Sequence, residues 1–180
     1  MTIPTLQTAQ LLLRPFTLDD APVVQQLAGA HEVASTTLNI PHPYEDGMAE
    51  VWIASHEAAW DAKEGITLAT TTEGDGVVGT VTLHINSRHR RGELGHWLGL
   101  PYWNRGYATE ASAALLRLGF DVLDLNRIQA RHITRNPASG RVMQKLGMEF
   151  EGISRQHMLM RGEFEDVTVY AILSSDRPQP

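Results

Sequence analysis

Residues Trp103 to Ala111 read Trp-Asn-Arg-Gly-Tyr-Ala-Thr-Glu-Ala. An apolar, strand-like stretch (Leu94 to Leu100) precedes them, and a helical pattern from Thr109 to about Leu123 follows. A short glycine-containing turn from strand to helix aims several unpaired backbone N–H groups at one point. The positive end of the helix dipole adds to them. That combination is a phosphate or pyrophosphate cradle, so the segment predicts a phosphate-bearing cofactor. Three better-known phosphate or nucleophile motifs are missing. There is no Gly-x-x-x-x-Gly-Lys-Ser/Thr run, no Gly-x-Gly-x-x-Gly after a strand and no Gly-x-Ser-x-Gly. The eight histidines lack His-Glu-x-x-His spacing, so no metal site is expected. The chain has no cysteine, which excludes disulfides, Cys-ligated zinc and a cysteine nucleophile.

The elements that must carry the cradle follow from periodicity. A first strand is predicted at Leu11 to Pro15, and a helix from Ala21 to Gly29 capped by Asp19 or Asp20. Pro41 and Pro43 make Leu38 to Asp46 a loop, and a second helix covers about Gly47 to Lys63. The pattern then turns β-rich. Ile66 to Thr72 and Val77 to Ile85 form a hairpin across Gly74-Asp75-Gly76, and Glu93 to Leu100 is a third strand. After the cradle helix come a strand at Arg127 to Thr134 and a helix from Pro137 to Gly147. Ile153 falls in a further strand, and Met158 to Met160 pairs with Val167 to Leu173 across Arg161-Gly162-Glu163. Early hairpins followed by strand–helix alternation predict an α+β (mixed α/β) fold with a mixed sheet.

At 180 residues, one domain spanning 1–180 is expected. The chain is 42% hydrophobic and 20% charged, ordinary for a soluble protein. No apolar run approaches membrane-spanning length, and the N-terminus lacks a basic-then-apolar leader pattern, so a cytoplasmic location is expected. With a net charge of −6 and no basic run, neither a nucleic-acid nor a membrane partner is expected. The acidic balance suits a cationic substrate, and it suits plain solubility equally well.

Three segments in order give the chain a likeness. They are Glu93 to Leu98, Trp103 to Ala111, and Asn136-Pro137-Ala138-Ser139 leading to Lys145-Leu146-Gly147-Met148. Together they resemble the acetyl-CoA-binding half of a GNAT N-acetyltransferase, closest to the ribosomal-protein N-terminal acetyltransferase-like branch. Leu11 to Phe16, Ile40 to Tyr44 and Arg161 to Asp166 extend the likeness over nearly the whole chain. There are two departures. Trp103 stands where the wider superfamily usually has Gln or Arg, though the branch often has Trp. Met143 replaces a tyrosine that many members use to protonate the leaving thiolate, so a tyrosine acid at that place is excluded.

The resemblance implies a central, mostly antiparallel sheet, flanked by helices and splayed after Leu94 to Leu98, with pantetheine lying in the gap. Backbone groups around Trp97 and Leu98 would bind the pantetheine amides and the thioester oxygen. Arg105, Gly106, Tyr107, Ala108 and Thr109 would take the pyrophosphate. Asn136 would bond the pantetheine arm, and Ser139 would face the sulfur as the catalytic donor. Glu93 is the favoured base, acting through a water, with His84 or no dedicated base as alternatives. On a regular strand His96 projects from the face opposite Glu93. Several of these residues also have plain structural readings. Tyr107 could pack under its loop, Glu110 could be first-turn charge, and Asn136 with Ser139 could be an ordinary helix cap. Arg14, Asp166, Trp52 and Trp60 read as structural.

The expected reaction is direct transfer of an acetyl group from acetyl-CoA to a primary amine, either a protein N-terminus or a small amine. A catalytically silent acyl-CoA sensor is the alternative. A homodimer through the C-terminal hairpin is a further expectation.

Overall fold

A computed structural model describes residues 2–177. Its strands form one eight-stranded sheet in the order β1-β2-β3-β4-β5-β6-β8-β7. The ranges are β1 Leu6–Gln7, β2 Leu12–Arg14, β3 Gly65–Thr72, β4 Gly76–Asn86, β5 Arg91–Leu98, β6 Arg127–Ile133, β7 Glu149–Met160 and β8 Glu163–Leu173. Every neighbouring pair is antiparallel except β5–β6, which is parallel. That single parallel pair follows from the crossover through helix α4 (Tyr107–Asp121).

The two faces of the sheet hold different helices. Leu83 and Leu94 pack with α4 residues such as Leu115 and with Met143 of α5 (Pro137–Lys145) in the larger core. Trp97 packs on the other face with Val24 of α1 (Ala21–Ala28) and Ile53 of α3 (Met48–Asp61). Period-2 alternation along β5 feeds both cores. Fully burying side chains the size of Leu115 or Leu83 stabilises the fold by roughly 1.5–3 kcal/mol each.

Most predicted elements are present within two or three residues of their expected bounds. Three differ in kind. A short helix α2 (His31–Thr36) was not expected, because Ser and Thr are poor helix formers. Burial of Val33 and Ala34 holds it, and the Thr36 and Thr37 hydroxyls bond carbonyls of its own turns. The two-residue β1 was also unforeseen. The segments at Ile153 and Met158 to Met160 are one strand, β7, whose register shifts twice against β8. Those bulges, with Gln156 at φ +48°, break the alternation that sequence reading relies on.

Asp20 does not cap α1 through its side chain. Its carboxylate accepts from the Thr17 amide and forms a bidentate pair with Arg14, both bonds 2.8 Å. Burial alone would raise the Asp20 carboxyl, but the bonds from Arg14 and Thr17 outweigh it and hold the group below its ordinary 3.8. A depressed carboxyl contributes stability above the unfolded value and loses it as pH falls through the folded one. Asp20→Asn is therefore expected to cost about 2 kcal/mol at pH 7. Urea titrations across an acid series should show that difference shrinking once the pH drops below 3.8.

Candidate active site

The β5–β6 pairing runs from Arg91↔Arg127 to Leu94↔Ala130 and stops there. Beyond it the strands diverge, and a cleft of about 1120 Å³ opens between them. A volume of that size is large for one small ligand and leaves room for a cofactor arm and an acceptor together.

Register decides which main-chain groups face the gap. The Gly99 amide bonds the Val78 carbonyl, so these residues form a hydrogen-bonded pair. Alternation then turns the main chain of Trp97 toward β4, and that of His96 and Leu98 toward the gap. The sequence expectation named Trp97 and Leu98. The Leu98 main chain faces the gap as that expectation requires, that of Trp97 faces β4 so Trp97 only walls the cleft, and His96 is the other residue whose main chain is turned to the gap. The Leu98 carbonyl is taken by the indole N–H of Trp103 at 2.8 Å. The unusual Trp at the start of the cradle thus ties the loop to the end of β5.

The cradle has the expected geometry, with α4 starting two residues earlier than predicted. Gly106 sits at its N-terminus with φ +85°, after Asn104 at φ +62°. The first intrahelical bond runs from the Glu110 amide to the Gly106 carbonyl. The amides of Tyr107, Ala108 and Thr109 precede that bond, and no side chain caps the helix. Gly106, Ala108 and Thr109 line the cleft. Arg105 and Tyr107 do not. The Arg105 guanidinium lies 5.5 Å from the Tyr102 ring centroid, and Tyr107 packs against the main core. Glu110 is structural, for its carboxylate accepts from the Thr8 hydroxyl and from both the amide and side chain of Gln10.

Two cations missed at the sequence level line the same cleft. Arg141 and Lys145 stand four residues apart on α5, and neither makes an ion pair among the described residues. Helical spacing puts them on one face, but only the packing of α5 beside α4 turns that face toward the cradle.

Asn136 and Ser139 open α5 and line the cleft. The Asn136 amide accepts weakly from the Ser139 N–H at 3.4 Å and donates to the Thr36 carbonyl, tying α5 to α2. The cap reading of Asn136 therefore holds, alongside its place in the wall. The Ser139 hydroxyl has no partner within the described chain and is half-buried at the cleft wall. Met143 is buried at its base.

Glu93 and Arg131 flank the apex of the splay, one just before it and one just after. Glu93 Oε1 accepts from Arg131 Nε at 2.9 Å and Nη2 at 2.6 Å, and Oε2 accepts from Gln129 Nε2 at 2.9 Å. Three of the roughly four acceptor positions of the carboxylate are thus filled, leaving one on Oε2. His84 faces Glu93 across β4–β5 and is exposed. His96 projects from the other face, as predicted, and burial pushes its imidazole down to about 4, so it is neutral at pH 7. Trp52 forms the far wall, edge-on to Phe16 and His56.

The donor set fits a coenzyme A thioester. Uncapped amides with two free cations suit the phosphates, and an open strand edge suits an amide-bearing arm. Comparison with known proteins agrees. Residues 10–149 match the model of the acetyltransferase (GNAT) domain family. YoaA of Bacillus subtilis (strain 168), an uncharacterized N-acetyltransferase, is 32% identical over 94% of this chain and 97% of its own. The L-amino acid N-acetyltransferase AaaT of Escherichia coli (strain K12) is 27% identical over 88% of this chain and 94% of its own. The ribosomal-protein-S5-alanine acetyltransferase of Vibrio fischeri shares the fold, with a TM-score of 0.84 at 20% identity over 97% of this chain and all of that one. The chain belongs to the GNAT acetyltransferase family, and its reaction class is N-acetyl transfer.

Proposed function

We propose that the cleft binds acetyl-CoA along the open edge of β5 and transfers its acetyl group directly to a primary amine. The observation that carries this reading is the splay after Leu94↔Ala130, which leads to an uncapped helix N-terminus with Gly106 in the left-handed region. Acetyl-CoA supplies an acyl group activated as a thioester.

The amides of Tyr107, Ala108 and Thr109, with Arg141 and Lys145, hold the phosphates. Arg105 adds long-range positive charge from outside the wall. His96 and Leu98 pair with the pantetheine through main-chain groups, and one of those N–H groups donates to the developing oxyanion. Asn136 spaces the arm from α5. The amine nitrogen forms its bond to the thioester carbon as the carbon–sulfur bond breaks. Ser139 donates a hydrogen bond to the departing sulfur, and Glu93, through a water on Oε2, receives the proton that the amine sheds. The acceptor enters from the face of α1–α3, where Trp52 walls the cleft. AaaT is named for an L-amino acid and the Vibrio fischeri structural neighbour for a ribosomal protein, so both acceptor types belong in the test. No helix among the described residues is long and apolar enough to cross a membrane.

The test is calorimetric titration with acetyl-CoA, then a free-thiol release assay over amines and N-terminal peptides. Binding with acceptor-dependent release supports the transferase. Binding without release turns the reading to a sensor, and no binding overturns it. Ser139→Ala is expected to lower kcat about 10- to 100-fold. Its acetyl-CoA affinity should change by no more than about twofold, since one uncommitted hydroxyl adds little to so large a contact. An unaltered rate would remove Ser139 from catalysis.

A further inference from the structure

The carboxylate that holds Arg131 also aims it. Glu93 Oε1 receives both Nε and Nη2 of Arg131, so one edge of the planar guanidinium is fixed. Gln129 fixes Glu93 in turn. The other edge, Nη1 with the second hydrogen of Nη2, has only a 3.4 Å approach to His157 Nε2. Arg131 lines the cleft and is about one-third exposed. An ion pair this open adds little to stability, so its two bonds, with the Gln129 bond that holds Glu93, serve orientation better than folding. The free edge of a guanidinium is a fork that matches a carboxylate in two parallel bonds.

Position makes the fork useful. Arg131 is the first β6 residue past Ala130, where pairing with β5 ends. It shares a sheet face with Glu93, Gly95 and Trp97, the face covered by α1–α3. In the proposed function the thioester reaches this apex from the cradle, and the amine meets it from that face. A carboxylate two bonds from the attacking nitrogen falls beside Arg131.

We propose that Arg131 reads the α-carboxylate of the acceptor, so that the substrate class is free α-amino acids. Charge at the site supports this against a polycationic acceptor. Asp46 and Glu93 are the acidic residues lining the cleft, and Glu93 is already neutralised by Arg131. A polyamine needs several uncommitted carboxylates. A peptide N-terminus carries an amide where this fork expects a charge.

The inference rests on the proposed transferase, and its test separates the two. Thiol release is measured with saturating acetyl-CoA for L-phenylalanine, its carboxamide, phenethylamine and a tripeptide beginning with aspartate. Each rate is corrected for the fraction of neutral amine. The free amino acid should exceed the carboxamide and phenethylamine in kcat/KM by about tenfold or more, mostly through KM. Arg131→Met should bring that ratio close to one, and Arg131→Lys, which keeps charge without the fork, should fall between. Equal efficiency for acid and carboxamide overturns the proposal. An equal loss for every acceptor in Arg131→Met also overturns it, because that is the mark of a structural role through Glu93. Preference for the aspartyl tripeptide would move the fork to a side-chain carboxylate and refute the α-carboxylate. If no amine releases thiol, the transferase reading fails. Calorimetric titration of L-phenylalanine against its carboxamide on the CoA-loaded protein then decides, with acid-only binding sustaining Arg131 and equal or absent binding refuting it.

Discussion

Gly106→Asp is expected to weaken acetyl-CoA binding by about 100-fold or more in calorimetric titration, about 2.7 kcal/mol. A Cβ built at Gly106 meets nothing within 4 Å, so the protein itself has room for a side chain. The position has φ +85°, where most L-residues are strained by about 1–2 kcal/mol, but Asp and Asn tolerate it. The variant should therefore fold. What changes is the site: a carboxylate stands among amides that are free to meet an anion. At about 4 Å and surface-like screening, two unit charges repel by about 4 kcal/mol. Gly106→Asn supplies the matching shape without the charge and should lose about tenfold or less. If the two variants bind alike, repulsion is not the cause, and if neither differs from the parent protein the cradle is not the site.

Gly79→Ala is expected to destabilise the fold by about 3 kcal/mol, lowering the midpoint of thermal unfolding by about 6–12 °C. The added Cβ would lie 2.3 Å from the Trp97 carbonyl oxygen and 2.8 Å from Leu98 Cα. Both are backbone atoms held by the β4–β5 ladder, so no side-chain rotation relieves the contact. The strain falls where Leu98 faces the gap, so the variant should lose acetyl-CoA affinity as well as stability. Gly95→Ala is the contrast. Its Cβ meets nothing within 4 Å, and its stability should stay within about 0.5 kcal/mol of the parent. Differential scanning calorimetry of the pair distinguishes a close backbone approach from a general intolerance of side chains on these strands.

Local signals carried most of the fold. The β-rich run of Val77 to Ile85, the Pro137 start of α5 and the strand–turn–helix passage through Gly106 need only neighbours in sequence, and each element lies close to where those neighbours put it. The elements that escaped are those stabilised from outside themselves. Helix α2 exists because Val33 and Ala34 are buried, and β7 keeps pairing through two bulges that scramble its period. The candidate site divided in the same manner. Gly106, Ala108, Thr109, Leu98, Asn136, Ser139 and Glu93 do line one cleft. Arg105 and Tyr107 belong to the same segment but turn elsewhere, because one finds an aromatic ring and the other the core.

The sequence by itself determined an α+β fold with a glycine-led, uncapped helix N-terminus at the start of α4. The strand, the turn glycine and the helix dipole are local properties of one contiguous segment. Tertiary structure decided what surrounds that N-terminus. The arrest of β5–β6 pairing at Leu94↔Ala130 selects His96 and Leu98 as the open edge, packing of α5 brings Arg141 and Lys145 to the cleft, and parallel register sets Arg131 against Glu93. Residues 38 positions apart acquire a shared role only when a crossover helix has laid their strands side by side, and no local spacing encodes that meeting.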